Sequence, residues 1–149
     1  MTNQPEGYWR FIDPVWDSID IYSGADVFLK TYGAADRRAA MLFSAHFAQS
    51  EICNGGFKQL FWNSTGVLVP EAVLGFQAIG MEETAQIVIA AMNLLGEHYL
   101  RERDERQSAL ASVDRDALNG LDRQFFLLIE KDKGGFEMAA DIYVSQILD

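Results

Sequence analysis

The chain has 149 residues, 49% hydrophobic and 23% charged, a composition that suits one globular domain rather than a disordered chain, and its most apolar run, Ile87 to Leu95, is far too short to span a bilayer. Twelve basic against 22 acidic side chains leave a net charge of −10, which repels nucleic acid and anionic lipid and attracts basic surfaces. The lone cysteine, Cys53, excludes an internal disulfide, and the opening MTNQPEGYWRF lacks the layout of a signal peptide, so the expectation is a cytoplasmic protein that avoids membranes.

In chain order, Asp13-Pro14 is a cap followed by a favoured first helical residue, and predicts a helix carrying Val15, Trp16, Ile19 and Tyr22. Ser23-Gly24 breaks it. Asp26 then caps a short piece with Phe28 and Leu29 that stops at Tyr32-Gly33. Asp36 opens the next helix, whose stripe steps by three and four through Ala39, Leu42, Phe43, His46, Phe47, Ser50 and Cys53. The stripe reaches Asn54-Gly55-Gly56, and the same spacing resumes at Phe57, Leu60 and Phe61. Two glycines between two helical patterns predict a helix–helix corner rather than a hairpin.

Asn63 to Gly66 stops the aromatic segment, and Pro70 starts a helix with Val73 and Phe76 that Gly80 ends. Glu82 to Glu97 is apolar nearly all round and is expected to be the central, most buried element. Arg101 to Gln107 (RERDERQ) reads as a solvated helix end or linker. Ser112 or Asp114 caps a helix with Leu118, Leu121, Phe125, Leu128 and Ile129, Lys133-Gly134-Gly135 makes a second corner, and Phe136, Ala140, Tyr143, Ile147 and Leu148 line the last helix. No segment alternates as a strand does. The pattern predicts an all-α fold, a single-domain bundle of about seven or eight helices over residues 1–149.

Catalytic groups are scarce. Cys53 and His46 share a helix face but stand about 10 Å apart along the axis, too far for a thiolate–imidazole pair. His98 and Glu102 supply two metal ligands with no third, and Glu82-Glu83 and Asp114-Asp116 suit helix starts rather than acid–base work. Neither a catalytic residue, a metal nor a cofactor is expected. The amides of Asn54, Gln59 and Asn63 either close the backbone at the two corners or line a small-ligand pocket floored by Phe57, Phe61 and Trp62. The surface richest in carboxylates holds Glu97, Glu102, Asp104, Glu105, Asp114, Asp116 and Asp122, with Arg101, Arg103, Arg106, Arg115 and Arg123 interleaved so as to interrupt its negative field.

Glu51, Asn54, Gly55, Gly56, Phe57, Gln59, Asn63 and Gly66 together form E-x-x-N-G-G-F-x-Q-x-x-x-N-x-x-G, followed by a helix ending in Ala78-Ile79-Gly80 and a strongly apolar helix. Over roughly residues 15 to 130 this resembles the bacterial DNA-mimic protein family. The resemblance implies an all-α fold. In the member that gives the family its name, an acidic dimer surface imitates DNA and sequesters a DNA-binding regulator. It therefore implies a non-enzymatic module for a basic protein partner, with a homodimer as one form. Two other readings stay open: an immunity- or antitoxin-like inhibitor of a basic toxin, and a ligand-binding or enzymatic module built on the amide-and-aromatic corner.

Overall fold

The computed structural model describes residues 6–148, and among them every regular element is helical. The helices are α1 (Trp9–Ile12), α2 (Ala25–Ala34), α3 (Arg37–Trp62), α4 (Val69–Ala78), α5 (Glu82–Leu94), α6 (Arg103–Leu110), α7 (Arg115–Lys131) and α8 (Phe136–Leu148), with 3₁₀ turns at Asp13–Val15, Ser64–Leu68 and Asp132–Gly134. The expected all-α bundle is what forms. No helix among the described residues is long and apolar enough to cross a membrane.

The central element is α3, not the helix from Glu82. α1, α2, α4, α6 and α7 all pack on α3. Leu42, Phe43, Ala45, Ala48, Ile52, Phe57, Leu60 and Phe61 on α3 are all but wholly removed from water. An element apolar all round needs cover all round, and α5 has it mainly from α4 and α7. Val88 and Ala91 are buried, while Ile87 and Ile89 are half-covered.

Several helix boundaries follow the sequence. Asp36 caps α3 by accepting from the Ala39 N–H at 3.0 Å. α4 ends at Gly80 (φ +87°), where the Met81 N–H reaches back to the Phe76 carbonyl at 2.8 Å in a Schellman closure. Gly134 and Gly135 adopt the left-handed backbone of the second corner. Asp132 beside them caps α5 from outside, accepting from both the Thr84 N–H and its hydroxyl.

The helix expected from Pro14 to Tyr22 does not form. Only a 3₁₀ turn follows Asp13. The Asp20 carboxylate takes the N–H groups of Tyr22 and Ser23 and the Ser23 hydroxyl, and these local bonds outcompete a helical ladder. α2 begins at Gly24 (φ +96°) rather than at an Asp26 cap, and runs past Tyr32-Gly33 to Ala34. Ser50 and Cys53 also leave the expected stripe and are exposed, because a seven-residue repeat drifts around a 3.6-residue helix and the buried line passes to Ala48 and Ile52.

His46 is enclosed by aromatic rings, among them Trp9, Trp16, Phe47 and Phe136. Its Nδ1 pairs with the Tyr8 hydroxyl at 2.9 Å. Burial pushes its pKa from 6.5 down to about 4. The unfolded chain therefore takes up the proton first, so this contribution to stability is complete above pH 6.5 and lost as the pH falls toward 4. Denaturant midpoints across that window should register a loss on the order of 3 kcal/mol from this group. His46→Phe should flatten that part of the profile; an unchanged slope would remove His46 as its cause.

Candidate functional site

At the corner, α3 is two helical segments joined through Gly55 (φ −150°) and Gly56 (φ +75°). The break frees N–H groups at the start of the second segment, and Asp122 of α7 accepts from the Phe57 N–H at 2.8 Å. A β-carbon on Gly56 would lie 2.6 Å from the Asp122 carboxylate, so glycine serves here for both its backbone conformation and this close approach. Partial burial raises the Asp122 pKa, against the Phe57 hydrogen bond and the Arg123 charge, which lower it.

The motif side chains are brought together across this break. Glu51, on the last turns before the glycines, accepts from Gln59 Nε2, Asn63 Nδ2 (3.3 Å) and the Thr65 hydroxyl (2.8 Å). Asn54 Nδ2 in turn donates to Gln59 Oε1 at 3.1 Å. One carboxylate thus ties the first segment of α3 to the second and to the following 3₁₀ turn. Phe57 and Phe61 are wholly buried and stacked on each other, and Phe57 meets Phe125 edge to face; Trp62 faces outward. Glu51→Ala would leave the buried Thr65 hydroxyl and two amides without their acceptor. A loss of about 2–3 kcal/mol is expected in chemical denaturation, and an unaltered midpoint would refute the structural role of the network.

The RERDERQ stretch is no solvated linker. Arg106 is completely buried and donates to four carbonyls, those of Phe61 (2.7 Å), Asn63 (2.6 Å), Leu100 (3.2 Å) and Arg101 (2.7 Å). Arg103 and Gln107 both reach the Trp62 carbonyl. These side chains close the C-terminal end of α3, whose last carbonyls have no helical partner. Gly66 admits the guanidinium: a β-carbon there would sit 2.4 Å from Arg106 Nε. Arg101 makes a two-point pair with the buried Glu71 carboxylate at 2.7 and 2.8 Å. Charged composition alone hid these roles; the unpaired carbonyls implied at the end of α3 were the available signal.

The carboxylates divide into two sets. Asp122 works inside the corner, while Glu97, Glu102, Asp104, Glu105, Asp114 and Asp116 are exposed. Glu102 accepts from the Ala25 N–H at the start of α2, and it lies with His98 outside any helix. Asp114 caps α7 through the Asp116 N–H. Glu102, Asp104 and Glu105 stand at the beginning of α6, and Asp114 and Asp116 follow its end. Among the described residues Arg101–Glu71 is the one ion pair within 4.0 Å. Cys53 is separate from His46, with partial burial and Glu130 raising the thiol pKa.

Residues 34–146 match the family of DMP19-like proteins. The chain belongs to that family. The matched span contains the whole corner motif, α3 to α7, and nearly all of α8, and it starts and ends later than the 15–130 stretch of the resemblance. Membership in the DMP19-like family points to a protein of the DNA-mimic type. No curated protein and no solved structure matches the chain.

Proposed function

We propose that this DMP19-like protein is a non-enzymatic DNA mimic that occupies the DNA-binding surface of a basic protein. One observation carries this reading: Glu97, Glu102, Asp104, Glu105, Asp114 and Asp116 are exposed with no cation within 4.0 Å among the described residues. Three of the five interleaved arginines, which should have broken the negative field, are engaged elsewhere, while Arg115 and Arg123 stay exposed. Arg106 is buried, Arg101 is held by Glu71, and Arg103 lies against the Trp62 carbonyl.

The spacing also fits. An eight-residue helix is about 12 Å long, a length over which duplex DNA displays roughly seven phosphates at one charge per 1.7 Å. Five of the exposed carboxylates, Glu102, Asp104, Glu105, Asp114 and Asp116, flank the two ends of α6, which has that length. The C-terminal end of α3 anchors α6 through Arg103, Arg106 and Gln107, so in this reading the motif segment supports the acidic face rather than forming it.

Competition tests this. Proteins retained on the immobilised chain at low salt should be basic DNA-binding proteins, and a short DNA duplex should release them. A retained partner that binds the chain and DNA at the same time would exclude mimicry and favour an inhibitor or adaptor of another kind.

A further inference from the structure

Beside the corner, one cleft departs from the acidic character of the molecule. It has a volume of about 360 Å³ and is lined by Lys58, Trp62, Leu110, Arg115, Leu118 and Asn119 among others, with no carboxylate in its wall. That volume lies at the lower end of the range of about 300–1,000 Å³ that small-molecule sites occupy. Leu110 and Leu118 supply buried apolar surface. Lys58 and Trp62 lie four residues apart on α3, and Arg115 and Asn119 four apart on α7, so each helix presents a cation and a flat polar or aromatic group on one face.

Trp62 differs from the other two tryptophans. Trp9 and Trp16 sit in the aromatic cluster around His46, whereas Trp62 is 49% exposed and stacks on no aromatic ring among the described residues. With Lys58 it also lines a second cleft, together with Gly55, Gln59 and Asn63. Neither Lys58 nor Arg115 has a carboxylate within 4.0 Å among the described residues. Asp114 and Asp116 neighbour Arg115 in sequence, and Glu51 is engaged by Gln59, Asn63 and Thr65; none of the three lines either cleft.

We infer that this cleft binds a small organic anion with a planar ring, the ring stacking on Trp62 and the carboxylate or phosphate bridging Lys58 and Arg115. Two free cations around an apolar floor favour an anion, a free indole face adds stacking, and Asn119 offers an amide for orientation. The cleft adjoins the acidic face at Arg115, between Asp114 and Asp116, but neither of those carboxylates lines it.

Amide and indole N–H spectra of the whole chain would test it with defined probes. Indole-3-acetate and adenosine monophosphate represent the carboxylate and phosphate forms. Tryptamine has the same ring as the first with the opposite charge, and inorganic phosphate has the charge without a ring. At least one ring-bearing anion should shift the Trp62 indole and the Arg115 and Asn119 amides saturably at millimolar concentration. Lys58→Glu and Arg115→Glu should each weaken that binding by about tenfold or more, with spectra that remain dispersed. Equal binding of tryptamine, phosphate binding as tightly as the nucleotide, or no saturable shift with either ring-bearing anion would overturn the assignment.

Discussion

Arg106→Met should be strongly destabilising, with an expected loss of about 3–5 kcal/mol in chemical denaturation. The guanidinium holds four carbonyls, and methionine fills much of its volume while donating to none of them. Arg106→Lys should recover little, because an ammonium on a flexible stem cannot reproduce the planar fork that spans the Phe61, Asn63 and Arg101 carbonyls. Gly66→Ala should also be costly, since the new methyl would meet Arg106 Nε at 2.4 Å. The same exchange should cost much less in an Arg106→Ala background, where that side chain is gone. An equal cost for Gly66→Ala in both backgrounds would show that the glycine is not there to admit the arginine.

The sequence made the helices legible where periodicity and caps agreed. Asp36, the glycine corner, Gly80 and Asp114 are all visible as local chemistry, and each stands where that chemistry put it. What could not be read was the long-range completion of those ends. The acceptor for the Phe57 N–H is Asp122, 65 residues away, and the donor to the Phe61 carbonyl is Arg106, 45 residues away. A charged run looks solvated until the carbonyls it satisfies are known. The same blindness set the wrong centre: apolar content marked the helix from Glu82, but the helix on which most of the others pack is the one broken by two glycines. Of the motif, Glu51 was legible only as a letter in a pattern; its hydrogen bonds account for the spacing of Gln59 and Asn63, eight and twelve residues beyond it, and also take in Thr65, which the pattern did not mark.

Reversing Glu97, Asp104, Glu105 and Asp116 together to lysine should slow association with a DNA-displaceable partner by at least about tenfold at low salt, because steered encounters gain some 10- to 10³-fold from complementary fields. These four are exposed, and their side chains make neither an ion pair nor a hydrogen bond among the described residues. Asp122, Asp114 and Glu102 are excluded because they close the corner, cap α7 and cap α2, and changing them would confound charge with folding. The fold should persist, apart from a few tenths of a kcal/mol for each of Asp104, Glu105 and Asp116 in a first helical turn. Helical circular dichroism and the melting midpoint check that part. Stopped-flow association at two salt concentrations checks the rest. The wild-type rate should fall steeply as screening shortens toward about 8 Å at physiological ionic strength, and the rate of the reversed variant should fall much less. If both proteins associate equally fast and respond equally to salt while the variant remains folded, the acidic face is not what the partner recognises.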